Sequence, residues 1–316
     1  MSAAAQLDSA NAGSVESHRF PLVVHFRSRT IFSDSHEIAS NAANEQQPEE
    51  YLTMPVQPNR WQTQLTTDRA AILSFLRKDR LYAAYAIGDL QPPMFERCTW
   101  AVATKDGRVR ALALHFRGLI PPALFLMGVE GGLSTILQHS LCPTPVLVTC
   151  RSEHLPLVQT LYDLCDTALM WRMVLRPSCF RPFDRSCTKL CASHAVRLSA
   201  LYSLGGGDAF TPSQLQHGVF YGIEVDDQIV AVAGTHLVSP EYGVAAVGNV
   251  FTHPEYRGRG YASATTSAVV SALRSAGIRD IVLNVSQSNQ AAIRIYERLG
   301  FERYCPFVEG PATRRT

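Results

Sequence analysis

Of the 29 basic residues only three, Lys78, Lys105 and Lys189, are lysine, and basic and acidic side chains nearly cancel to a net charge of +2. With no long basic run, a nucleic-acid binder held by many phosphate contacts is excluded. Nor is there an apolar run of the roughly 18–20 residues that a membrane-spanning helix needs. The eight cysteines (98, 142, 150, 165, 179, 187, 191 and 305) include no C-x-x-C pair. In so long a chain they do not describe a disulfide-stapled mini-domain, and they fit a reducing cytosol. Cys187, Cys191 and His194 could share a helical face, but no second pair of ligands lies nearby to complete a tetrahedron, so no metal is expected.

What is present suffices for about two domains: 316 residues, 46% of them apolar. Residues 1–60 are rich in Ser, Ala, Asn, Gln and Glu around one short apolar cluster, Phe20–Val24, and read as a disordered tail. Asp8 and Glu16 precede that cluster, which counts against a cleaved leader. From Trp61 the pattern becomes globular. Ala71-Ile72, Phe75-Leu76, Tyr82 and Tyr85-Ala86 recur at helical spacing. A hairpin follows over 100–103 and 109–114, turning at Lys105-Asp106-Gly107. Next come a strand at 123–127, a helix at 133–139, a strand at 145–150, a helix at 155–165 and a strand at 169–175. Pro177 and Pro182 mark a linker near 177–186.

The second half repeats this order: helix 192–202, a loop at Gly205-Gly206-Gly207, and strands 219–225, 228–236 and 243–251. Helix 262–276 then stops at Gly277, strand 281–285 follows, and helix 290–299 stops at Gly300 before a final extended piece from Phe301. The expected domains are therefore 61–180 and 185–316, two copies of one fold.

Chemistry concentrates in the second copy. The third strand runs into Arg257-Gly258-Arg259-Gly260-Tyr261-Ala262-Ser263, which opens a helix. Successive N–H groups at a glycine-containing turn, aimed by a helix start, form a site for a pyrophosphate. Gly258 and Gly260 allow close backbone approach, and Arg257 or Arg259 adds positive charge. Asn289 is placed to cap the next helix, and Tyr296 lies two turns further on nearly the same face.

The R-x-x-G-x-A turn between strand and helix, Asn289 and Tyr296 seven apart, and the closing Leu299-Gly300-Phe301 resemble the GNAT superfamily of acyl-CoA-dependent N-acyltransferases. The resemblance is strong over 217–308 and topological over 61–176. It implies an α/β fold of the α+β type: two tandem GNAT-like units, each a mixed, mostly antiparallel twisted sheet flanked by helices. It further implies that Val250-Phe251-Thr252 splays from the parallel strand 281–285 so that the pantetheine of acetyl-CoA, the co-substrate, pairs with free backbone there. Asn289 would contact the cofactor and Tyr296 would protonate the departing thiolate. Direct attack by an amine then needs an oxyanion donor on the splayed strand and a base.

One branch, the ribosomal-protein N-terminal acetyltransferases, carries that base in a Leu-Glu-Val where this chain reads Leu283-Asn284-Val285. Asn284 cannot serve, which leaves His236, Glu241, Asn249 acting through a water, and Glu255, with His236 preferred for its ordinary titration range. Tyr221-Gly222-Ile223-Glu224 resembles the glycine N-acyltransferase-like branch and favours a small molecule or amino acid as the amine acceptor. A protein N-terminus, or a non-catalytic acyl-CoA sensor, is the alternative. The first copy has Gly128-Val129-Glu130-Gly131-Gly132 where phosphates would sit, so it reads as degenerate and as a wall of the acceptor pocket, with Asp89 a candidate anchor for the acceptor's ammonium.

Overall fold

The computed structural model describes residues 61–206 and 210–315. The tail reading for 1–60, and Gly207 of the triglycine loop, lie outside them. The first half contains β1 (Gln62–Thr66), α1 (Arg69–Leu76), α2 (Ala84–Gly88), β2 (Cys98–Lys105), β3 (Arg108–Phe116) and β4 (Ala123–Gly128). It continues through α3 (Glu130–His139), β5 (Val146–Arg151), α4 (Leu155–Leu161), β6 (Tyr162–Leu164) and β7 (Ala168–Leu175). The second half contains β8 (Thr188–Lys189), α5 (Ala195–Tyr202), α6 (Gln214–His217), β9 (Tyr221–Val225), β10 (Gln228–Ser239) and β11 (Val244–Thr252). It ends with α7 (Tyr261–Ser275), β12 (Asp280–Ser286), α8 (Gln290–Arg298) and β13 (Phe301–Arg314). No helix among the described residues is long and apolar enough to cross a membrane.

Local chemistry sets the ends of these elements. Asp68 caps α1 by accepting from the N–H groups of Ala70 and Ala71. Gly277 and Gly300, at φ 79° and 99°, stop α7 and α8 in the left-handed region. A Cβ at Gly300 would lie 1.9 Å from the carbonyl oxygen of Cys179, so only glycine lets the linker cross there. The run 155–165 is helical only as far as Leu161. Tyr162–Leu164 instead pairs with Ala312–Arg314 of β13, and this long-range partner overrides the helical spacing.

All strands join one sheet in the order β1-β2-β3-β4-β5-β13-β7-β12-β11-β10-β9-β8, with β6 pairing to β13 beyond the end of β7. Each half has one parallel pair, β4 with β5 and β11 with β12, amid antiparallel neighbours. The order also reveals an exchange. Strand β7, the last of the first half, pairs with β12 of the second, from Ile281 opposite Leu175 to Ser286 opposite Met170. Conversely β13, the last of the second half, lies on β5, from Phe307 opposite Arg151 to Ala312 opposite Val146. Each half thus supplies the strand that closes the other.

Helices cover both faces. Helices α7 and α8 bury Val269, Val270, Leu273, Ile293 and Tyr296 against Val247, Ile281, Leu283 and Met173. On the opposite face α2 lays Ala84 over Val174, Ala246 and Val282, so an element of the first half roofs the sheet of the second. An ion pair between Arg80 and Asp280 joins the same two parts.

Candidate active site

Parallel pairing of β11 with β12 runs from Val244 opposite Asp280 to Val247 opposite Leu283 and then stops, although β11 continues to Thr252 and β12 to Ser286. A bulge begins where pairing ends. Between Gly234–Gly248 and Val232–Phe251, strand β11 carries one residue more than β10, and Asn249 adopts φ 52°. The Asn249 carbonyl accepts a 2.6 Å hydrogen bond from the buried Tyr202 hydroxyl, which pins the bulge. Val250, Phe251 and Thr252 therefore have no strand partner on their β12 side, and an opening between the two strands begins there.

The turn at 257–263 adjoins this opening. Gly258 and Gly260 hold φ 77° and 76°, and Gly260 is the residue preceding α7. No side chain caps α7, so the N–H groups of its first turn point outward unclaimed. A Cβ at Gly258 would meet nothing within 4 Å, which leaves room over the turn. Arg257 is exposed and donates from Nε to the Thr252 carbonyl at 3.3 Å, while Arg259 donates to the Glu255 carbonyl at 3.3 Å and lies over the Tyr256 ring. Tyr261 and Ser263 are buried and Ala262 half-buried. This fifteen-residue helix with a free, glycine-opened start suits a diphosphate.

Tyr296 is buried in the cluster that holds Val247, Val285 and Val250, edge-on to Phe301. Burial pushes its phenol up to about 12, which keeps it protonated. Its hydroxyl has no hydrogen-bond partner among the described residues. Asn289 caps α8, its Oδ1 accepting from the Ala292 N–H at 3.1 Å. The cap occupies Oδ1 alone, so the Asn289 amide retains two donors.

On the opposite face of the sheet, His236 is the extra residue of a second bulge, between Thr235–Val247 and Leu237–Ala246, and so lies within β10 rather than at its end. The bulge swings the imidazole over Gly248, where a Cβ would come within 2.3 Å of Nε2. Nδ1 lies 3.1 Å from the Tyr85 hydroxyl on α2. The residue is exposed, yet loss of hydration among these neighbours pushes the imidazole down to about 4, with Asn249 acting in the opposite direction. The shift disfavours the protonated ring, so His236 is an uncharged acceptor at pH 7. Glu241 is exposed in the turn at the far end of β11, and Glu255 is exposed beyond Thr252. Asn249 stands beside His236. Asp89 follows α2 one turn after Tyr85, half-buried, and desolvation pushes its carboxyl up to about 7.

One residue on this face escaped sequence reasoning. Arg172, in β7, is 1% exposed, with its guanidinium 4.7 Å from the Tyr85 ring centroid and 5.6 Å from that of Phe307. The available signal was a lone charge inside the apolar run Leu169-Met-Trp-Arg-Met-Val-Leu175. Cys191 and His194 do meet, Sγ 3.3 Å from Nδ1, but no group of three or more His, Cys, Asp and Glu that could hold a metal occurs among the described residues.

Residues 195–301 match the model of the acetyltransferase (GNAT) family. N-alpha-acetyltransferase 30 of Schizosaccharomyces pombe is 46% identical over 50 residues, 16% of this chain and 33% of the relative. A mycothiol acetyltransferase of Thermobispora bispora is 47% identical over 51 residues, 16% of this chain and 17% of the relative. The matched parts thus span a third or less of these relatives' length. A solved GCN5-related N-acetyltransferase from Sphaerobacter thermophilus covers 81% of this chain and 96% of its own, with a TM-score of 0.56 and 18% identity, a likeness of fold.

Proposed function

From the match of residues 195–301 to the acetyltransferase (GNAT) family model, we propose that this chain is an N-acetyltransferase moving the acetyl group of acetyl-CoA to the primary amine of a small molecule or amino acid. The observation that carries the reading is the coincidence of three features at one place. They are a strand pair that parts after Val247–Leu283, an uncapped helix start behind Gly258 and Gly260, and a buried tyrosine with a free hydroxyl beside the opening.

In this reading the diphosphate lies on the N–H groups of residues 260–263 and the pantetheine pairs with Val250–Thr252. The neutral amine attacks the thioester carbonyl carbon from the α2 face. The C–N bond forms while a backbone N–H beyond the Asn249 bulge holds the oxyanion. On collapse the C–S bond breaks, the Tyr296 hydroxyl protonates the departing sulfur, and the amine proton leaves through His236 or a water held by Asn249. All eight cysteines are free thiols, in keeping with a reducing, cytoplasmic setting.

Calorimetric titration with acetyl-CoA tests the binding half of the proposal. The wild type is expected to bind at one site and Gly260→Val to lose it, because valine strains at φ 76° and its Cβ would crowd the Phe183 ring at 3.1 Å. Thiol release with an amine panel tests the chemistry. Tyr296→Phe should lower kcat by about 10²-fold or more while leaving acetyl-CoA affinity intact. Binding without turnover on any amine would instead favour the acyl-CoA sensor.

A further inference from the structure

Arg172 and Asn284 are directly opposed across the antiparallel pair β7–β12. Two residues further along, Val174 and Val282 pack under Ala84 of α2, and the period of two puts Arg172 and Asn284 on that same face. Asn284 is also the first residue of β12 past the last parallel pair with β11. The two side chains therefore stand at the base of the opening, on the side where His236 and Tyr85 meet.

Both are unsatisfied. The Nε and Nη1 atoms of Arg172 and the Oδ1 of Asn284 are buried without a hydrogen-bond partner among the described residues. Arg172 forms no ion pair there. Glu309, half-buried on β13, feels its charge, which opposes the rise that burial imposes on the Glu309 carboxyl, but the two make no hydrogen bond or salt bridge. Leaving buried donors unmet is costly, and more so when they are charged. Aromatic rings on α2 and β13 hold the guanidinium in place, so its planar donor edge is preorganised at this cost. A merely structural arginine at this position would be expected to bond to Asn284, its immediate cross-strand neighbour.

We infer that Arg172 and Asn284 form the acceptor subsite for an amine that also bears a carboxylate. This rests on the transferase reading above and narrows its substrate class. The carboxylate accepts from Nε and Nη2 of Arg172, the two donors that share one edge of the guanidinium and match its two oxygens. The amine donates an N–H to Asn284 Oδ1, which turns its lone pair toward the parted strand. Asn284, which cannot take the proton, holds the nucleophile instead. The carboxylate anchor comes from β7, a strand of the first half, so the exchange of strands brings it to the site.

The test compares amino acids with the same amines lacking the carboxylate, using the full chain and thiol release, with acetyl-CoA affinity measured in parallel. Wild-type kcat/KM is expected to be about 10–100-fold higher for the carboxylate-bearing member of a pair, the worth of a charged hydrogen-bond contact. Arg172→Met should abolish that preference, the kcat/KM ratio between the two members falling to about one chiefly through KM for the carboxylate-bearing acceptor. Arg172→Lys, which keeps the charge but loses the fork, should restore only part of it. Asn284→Asp places a rival carboxylate opposite Arg172 and should weaken the preference, while Asn284→Leu should lower kcat for both members of the pair. Equal activity on both members, or an unchanged ratio in folded Arg172→Met, would overturn the subsite while leaving the transferase intact. Absence of turnover on every amine, with or without acetyl-CoA binding, would reject the transferase reading and this inference with it.

Discussion

At the scale of single residues, chemistry follows from where solvent has been removed. The pKa of His236 is pushed from an ordinary 6.5 down to about 4, so the unfolded chain binds its proton first as pH falls. Stability should therefore drop as pH falls from about 6.5 toward 4, and His236→Gln should flatten that part of a Tm-against-pH curve. The same depression implies that kcat shows no break from this imidazole between pH 5 and 7. A break near 6.5 that His236→Gln removes would mean the ring is hydrated as in free histidine. Asn289 has two separable roles. Asn289→Ala should cost about 1 kcal/mol through the lost cap on α8. Asn289→Ser keeps a neutral capping oxygen, so any fall in acetyl-CoA affinity in that variant, followed by calorimetry, isolates contact between the amide and the cofactor.

At the scale of elements, much was legible because it is written locally. The alternation of strand and helix, the glycine stops at 277 and 300, and the turn at 257–263 each depend on a few adjacent residues, and all lie where the sequence puts them. The parting of β11 from β12 came from family resemblance, and the observed pairing ends at Leu283, within the strand named. Two things were not legible. The bulges at His236 and Asn249 arise from a mismatch between facing strands, so neither strand alone encodes them. Tyr162–Leu164 carries helical spacing but is taken by β13, a partner about 150 positions away. Arg172 lay between these cases. Its burial was foreseeable from the apolar run around it, but the amide facing it and the rings enclosing it come from three other elements.

At the scale of the molecule, the exchanged strands tie both halves into one hydrogen-bonded sheet. Although the sequence reads as two copies, calorimetry should show a single unfolding transition with matching calorimetric and van't Hoff enthalpies. A fragment of residues 185–316 would leave the β12 edge bare and should be insoluble or dimeric alone. Adding residues 61–180 in trans, so that β7 reaches that edge, should recover acetyl-CoA binding. Two resolved transitions would show the halves to be energetically separate despite the shared sheet.

The order in which the chain is made acquires a meaning from this arrangement. Synthesis delivers the first half well before β13, yet the β5 edge has no neighbour until residues 301–314 leave the ribosome. Strand β7, meanwhile, is available long before β12 exists. A nascent chain of this protein therefore carries two open strand edges while most of the second half is made, and at about 5–20 residues per second that interval lasts several seconds or more. The sheet becomes whole only when its newest strand slides between two of its oldest. Completion of the sheet consequently waits for residues 301–314, long after its β5 and β7 neighbours have been made.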